Sequence, residues 1–187
     1  LPEPVAKNQP VLEKKPELPP ELADFQLECW PTLEKYVTQK FGARADYYRQ
    51  FGFPGHEGID LKAPMGSPYF AAAGGTVIRV TDKRRDGKPS AYGWHVIIDH
   101  GNGYSTLYAH ATPDFPVRSG DKVKAGQIIG FSGNTGNSSG PHLHMTLMKK
   151  GYHAGGGWPA GSGGGAPTNR RADPGQSIRI TSLSMAS

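Results

Sequence analysis

The sequence predicts a mainly β domain: an antiparallel β-sheet of barrel- or sandwich-like form carrying a groove, with a short N-terminal helix and irregular tails. Three observations predict it. From about residue 71 onward, apolar residues recur in short runs with period two rather than 3.6. The runs are separated by turn signals such as Gly101-Asn102-Gly103 and Ser119-Gly120-Asp121. Glycine and proline are abundant, 26 and 17 of 187 residues, which suits a turn-rich β fold and disfavours a helical bundle.

Taken in order, residues 1–25 read as a linker. Pro2, Pro4, Pro10, Pro16, Pro19 and Pro20 stand among Glu and Lys, remove backbone donors and offer little to bury. Such a linker implies an upstream domain. Residues 26–40 read as a short helical lead-in, because Trp30, Leu33 and Val37 recur at helical spacing and Pro31 suits a first turn. Residues 41–183 form the main domain. Its first part, 41–55, is rich in Gly and aromatics and reads as a loop; Tyr48 and Phe53 in it are candidates for one wall of a groove. A strand is expected over 71–80, with a polar loop over 82–90. Further strands are expected over 94–99, 104–110, 122–123, 128–131 and 142–148. A Gly-rich insert at 155–167 reads as flexible, and 177–183 as a closing edge segment.

The bulk numbers exclude several classes. A single cysteine, Cys29, rules out a disulfide framework within the chain and a thiolate-built zinc finger. Any metal site must therefore use His and carboxylate. No run approaches the roughly 20 apolar residues of a membrane span. The formal net charge of +5 suits an anionic surface, but the basic residues are scattered with few aromatics among them, so nucleic acid is not the expected partner. The chain starts at Leu1 and shows no signal peptide, which reads as a processed product or an excerpt.

The chemistry centres on Gly140-Pro141-His142-Leu143-His144. Residues two apart on a strand share a face, so both imidazoles project together. That arrangement fits two metal ligands, or one ligand beside one catalytic group. A catalytic zinc usually takes three protein ligands and keeps an open position. His142 or His144, with His56 and Asp60, supply them. A straight strand would hold His56 and Asp60 about 13 Å apart, so the chain must bend between them, and Gly58 permits a bend.

Three blocks occur in order: His56-x-x-x-Asp60, Leu107-Tyr108-Ala109-His110, and Gly140-Pro141-His142-Leu143-His144. Between them run Ile98-Asp99-His100-Gly101-Asn102-Gly103-Tyr104 and Gly133-Asn134-Thr135-Gly136. Over about 41–148 this pattern resembles the lysostaphin/LytM-type zinc metallopeptidases, which cut cross-bridges or stem peptides of bacterial peptidoglycan. The resemblance implies one Zn²⁺ held by His56, Asp60 and His144. It implies His110 and His142 as the two non-ligand histidines beside a zinc-activated water and the scissile carbonyl. Apart from the resemblance, Tyr48, Phe53 and Tyr108 are candidates to line the substrate groove, with packing on the core as the alternative reading. The resemblance further implies a monomer acting on peptidoglycan outside the cytoplasm, in wall or periplasm, or as a phage lysin or virion enzyme. Departures from the family's pattern lie at Ala111, at Met145-Thr146-Leu147 and in the Gly-rich insert; none removes a ligand.

The remaining histidines read otherwise. His100, in a turn beside Asp99, is structural; His95 is exposed on its strand; His153 is solvated. Glu57 does not belong to a His-Glu-x-x-His helix, since the second His is missing and Gly58 opposes a helix. Two other functions compete. A non-catalytic wall-binding or hydrolase-activating module would bind wall without cutting it. A biotinyl- or lipoyl-type carrier, prompted by 119–127, would carry an added mass on a hairpin lysine but leaves the histidines unexplained.

Overall fold

Alternation of buried and exposed residues builds the fold. The computed structural model describes residues 25–50, 53 and 55–149. Among them run β1 (Val37–Gln39), α1 (Ala45–Arg49), β2 (Ile59–Lys62), β3 (Pro68–Phe70) and β4 (Gly75–Thr81). They are followed by β5 (Trp94–Gly101), β6 (Tyr104–Ala111), β7 (Lys122–Val123), β8 (Ile128–Phe131) and β9 (His142–Lys149). Seven strands form one sheet in the order β1-β2-β9-β6-β5-β4-β7, and β3 pairs with β8 in a second; every pairing is antiparallel. The sheets do not close into a barrel. The predicted antiparallel, mainly β class is what the chain adopts.

Short connections explain the antiparallel order. Between β5 and β6, Asn102 and Gly103 both take positive φ (50° and 80°), the geometry a two-residue hairpin needs to match strand twist. The core lies on one face of the large sheet, where Ile59, Leu61, Val96, Ile98, Tyr108, Leu143 and Met145 are buried with Tyr69 and Ile129 from the small sheet. A smaller cluster, Ile97, Leu107 and Ala109, sits on the other face under Tyr92 and Met148. The small sheet braces the large one: the Tyr69 hydroxyl lies 2.8 Å from the His142 carbonyl and 3.3 Å from that of Ala109, bridging β9 and β6.

Three local expectations are corrected. The lead-in at 26–40 is not a helix. Its backbone groups are committed to the body of the domain: the Glu28 and Cys29 amides donate to the Ala72 carbonyl, and the Phe70 amide donates to that of Pro31. The segment is a strap, with Leu27, Trp30 and Val37 packed on the core and Leu33 and Tyr36 exposed. Tertiary packing has overridden the helical spacing. The strand expected over 71–80 begins only at Gly75, because the backbone groups of Ala71 and Ala72 are spent on Gln127, Gly126, Glu28, Cys29 and the Tyr108 hydroxyl rather than on a strand ladder. The loop expected over 41–55 contains the single turn of α1. The tails at 1–24 and 150–187, with the Gly-rich insert, the closing segment and His153, lie outside the described residues. No helix among the described residues is long and apolar enough to cross a membrane.

Candidate metal centre and active site

Strand β9 carries the centre of the site. Leu143 and Met145 point into the core, so His142, His144 and Thr146 point to the opposite face. Asp60 stands directly across from His144 in the β2–β9 ladder. His56 lies just before β2, and the chain between them does bend. The reason is steric. A side chain at Gly58 would run into the Met145 carbonyl, and would come within 2.8 Å of Thr146 Oγ1 and 2.9 Å of His144 Cε1. Only glycine lets this segment press against β9 and bring His56 over it.

Three ligand atoms converge there. His56 Nε2 lies 3.0 Å from His144 Nδ1 and 3.2 Å from Asp60 Oδ1, and His144 Nδ1 lies 3.0 Å from Asp60 Oδ1. Outer partners orient both rings. His56 Nδ1–H donates to the Lys40 carbonyl at 3.2 Å, leaving Nε2 with a lone pair. His144 Nε2 is 3.0 Å from Thr146 Oγ1, a hydroxyl that accepts from Nε2–H when Nδ1 serves as a ligand and donates to Nε2 when Nδ1–H points at Asp60. His56 Nε2, His144 Nδ1 and a carboxylate oxygen therefore face one point, where a single cation could be shared among them. Two imidazoles, one carboxylate and oriented outer partners form the donor set that Zn²⁺ takes.

The other two histidines border this cluster. His142 Nε2 is 3.5 Å from Asp60 Oδ1, and its Nδ1–H donates to the Gly140 carbonyl at 2.8 Å. His110 Nδ1–H donates to the Thr135 carbonyl at 2.8 Å. The His110 ring centroid is 4.8 Å from that of His142 and 5.9 Å from that of His144. Their environments pull their pKa values apart. Burial, reinforced by His144 nearby, lowers His110 to about 4. Burial also opposes charge on His142, but its hydrogen bond to Asp60 outweighs this and raises it. Asp60 is held well below the usual carboxylate range: burial works against it, and the imidazole nitrogens of His142, His144 and His56 crowded around its carboxylate overcome burial.

The structure thus brings His56, Asp60, His144, His142 and His110 together. The groove residues fare differently. The Tyr48 ring stands 5.5 Å from that of His56, with its hydroxyl accepting from Gln39 Nε2, so it edges the site. Phe53 is half-buried and tied by its amide to the Tyr48 carbonyl. Tyr108 does not line a groove. It is wholly buried on the core face, where its hydroxyl accepts from the Ala72 amide at 2.8 Å. Its register decides this: Tyr108 pairs with core-facing Met145, and period two alone would put His110 on that same face, but the left-handed φ of 59° at His110 breaks the alternation there. His95 is also buried rather than exposed, its Nδ1–H donating to the Gly93 carbonyl at 2.7 Å. His100 is structural as expected, though it lies at the end of β5, 2.7 Å from both the Gly74 carbonyl and Thr106 Oγ1.

Several neighbours of the site were not foreseen. Thr146 stands two after His144, so the same-face rule that paired the histidines also reaches it. Tyr92 packs 5.7 Å from His144 and its hydroxyl donates to Glu57 Oε1. The carbonyls of Lys40, Thr135 and Gly140 leave no signature, since every residue carries one.

The model of peptidase family M23 matches residues 54–155, more than half of the chain. The chain is 48% identical over 89 residues to the DD-carboxypeptidase/endopeptidase Mpg of Neisseria meningitidis, which is 48% of this chain and 19% of that protein. It is 40% identical over 96 residues to the peptidoglycan DD-endopeptidase ShyA of Vibrio cholerae, 51% of this chain and 21% of that protein. The chain spans about a fifth of the length of these relatives. A crystal structure of a zinc-containing peptidase from Vibrio cholerae superposes with a TM-score of 0.54 at 30% identity, covering 67% of this chain and 37% of that one.

Proposed function

The chain belongs to peptidase family M23, and on that footing we propose that it is a Zn²⁺-dependent endopeptidase hydrolysing peptide bonds of bacterial peptidoglycan. The observation that carries the reading is the convergence of His56 Nε2, Asp60 Oδ1 and His144 Nδ1, with two further imidazoles beside them. His56, Asp60 and His144 would hold one Zn²⁺. When bound, the ion polarises a peptide carbonyl and lowers the pKa of water toward about 7.

The protein's own groups do the rest. His110 and His142 present Nε2 to the same space, because each Nδ1–H is spent on a carbonyl. A neutral imidazole there accepts a proton, and a protonated one donates to a developing oxyanion. The two rings divide these tasks. Tyr48 edges the space where the peptide lies. The relatives' names make D,D bonds of stem peptides the first substrates to try, with cross-bridges second. Such a substrate puts the enzyme in the wall or periplasm.

The test is digestion of purified peptidoglycan with and without a chelator, with Zn²⁺ restored afterwards. Loss and recovery of cleavage are expected; cleavage that survives complete metal removal overturns the reading, and wall binding without cleavage favours a binding module. Metal analysis of variants separates the roles. His144→Ala should lose the ion. His142→Ala should keep it while turnover falls by about 10²–10⁴-fold, the range of acid–base catalysis.

A further inference from the structure

The loop after β8, residues 133–141, touches both non-ligand histidines with its main chain. The Thr135 carbonyl accepts His110 Nδ1–H, and the Gly140 carbonyl accepts His142 Nδ1–H, each at 2.8 Å. The Ser138 hydroxyl donates to the same Gly140 carbonyl at 2.9 Å. One loop therefore sets the tautomer of two rings. A neutral ring whose Nδ1 is protonated has its lone pair at Nε2, which is the case the Thr135 carbonyl sets for His110; His142 Nε2 instead lies 3.5 Å from Asp60 Oδ1.

His110 needs this support. It takes a φ of 59°, a left-handed conformation that a side chain adopts only when its surroundings impose it. Its amide donates to the Tyr92 carbonyl at 2.9 Å, and its own carbonyl accepts from the Gly133 amide at 3.0 Å. Thr135 connects the pieces. Its hydroxyl donates to the Ala111 carbonyl at 2.8 Å and accepts from the Trp94 amide at 2.9 Å. It thus ties the loop to β6 beside His110 and to the start of β5. The loop is also pressed onto the 91–94 turn. The Asn137 amide donates to the Ala91 carbonyl at 2.7 Å. Gly93 and Gly136, both at positive φ, approach so closely that a side chain on either would strike the other's backbone.

We propose that the 133–141 loop is the positioning device for both histidines, and that Thr135 is the positioning residue that locks it. The proposal rests on the reading of His110 and His142 as the groups acting on substrate. Thr135 acts through His110: with its hydroxyl gone, the carbonyl of the same residue drifts, and the imidazole loses both its orientation and its fixed tautomer.

Two variants test this. Thr135→Val keeps the branched shape and removes both hydroxyl bonds; Thr135→Ser keeps the hydroxyl. Thr135→Val should lower kcat by about a hundredfold, with KM changed by less than about twofold and metal content unchanged, because a small misplacement of a reacting group costs rate rather than binding. Thr135→Ser should restore most of kcat. Long-range ¹H–¹⁵N spectra of the metal-free protein give a readout that needs no substrate. Wild type and Thr135→Ser should each show one His110 tautomer, protonated at Nδ1, and Thr135→Val a mixture. Wild-type kcat with a single tautomer in Thr135→Val overturns the proposal. So does a loss of activity in both variants that follows metal content or melting temperature. If wild type cleaves no peptidoglycan but Thr135→Val still scrambles the tautomer, the peptidase reading fails and the positioning inference stands.

Discussion

Single residues show how polar groups are kept satisfied inside this sheet. The Ala72 amide donates to the Tyr108 hydroxyl, which lies 2.9 Å from Thr106 Oγ1, which in turn lies 2.7 Å from His100 Nε2; His100 Nδ1–H ends the chain on the Gly74 carbonyl. Every member has a partner while His100 is neutral. Burial pushes the Tyr108 phenol up to about 12, so it stays protonated. Tyr108→Phe should cost about 1–3 kcal/mol, the penalty for leaving buried groups unsatisfied. Urea unfolding checks this, and metal content should not change. At this scale the sequence was readable where a residue type has one chemical use. The spacing of His142 and His144, and the order of His56, Asp60 and His110, fall in this class. It was not readable where burial decides: Tyr108 looks like a groove aromatic until its strand face is known, and His95 looks exposed until Tyr92 is seen against it.

At the scale of elements, β9 matters most, because it is flanked by β2 and β6 and has one face in the core and one in the site. Leu143 is fully buried between the two histidines. Leu143→Ala should destabilise by about 2–5 kcal/mol, the usual cost of a core cavity, and its shallower grip on His142 and His144 should weaken metal affinity; denaturation and metal titration read the two effects separately. The strap makes a contrasting case. Phe25 stacks on Tyr104 at 4.7 Å and tilts against His100 at 5.1 Å. Tyr104 opens β6 and His110 nearly closes it, about 20 Å away at strand rise. Phe25→Ala should therefore cost about 0.5–1.5 kcal/mol of stacking with the turnover number intact, as thermal melts and assays would show. Strands with period-two runs and a tight turn, such as β5 and β6, were legible from local sequence. The strap, the break before β4 and the edge strand β1 were not. Their hydrogen-bond partners lie elsewhere in the chain: Ala72 and Phe70 for the strap, Leu61 for β1.

For the whole molecule, the burial of two histidines makes acid a destabilising condition. His95 and His100 have lowered pKa values, burial being the leading cause in both. Above about pH 6.5 both are neutral folded and unfolded. Below it the unfolded chain takes up protons that the folded chain refuses, so stability falls with pH. The urea midpoint of metal-free protein should drop between about pH 7.5 and 5.5, and His100→Gln should show a smaller drop over the same interval. The sheet order has a second consequence, for biogenesis. His56 and His144 are 88 residues apart in the chain, and among the described strands β2 has only β1 and β9 as neighbours. During synthesis the β1–β2 ribbon emerges first and has nothing else to join. It docks only when β9 slides between it and β6, a long-range pairing of the kind that folds slowly. The last of the described strands to be translated, β9, completes the metal centre, so the growing chain cannot acquire its chemistry before the strands ahead of it have been made.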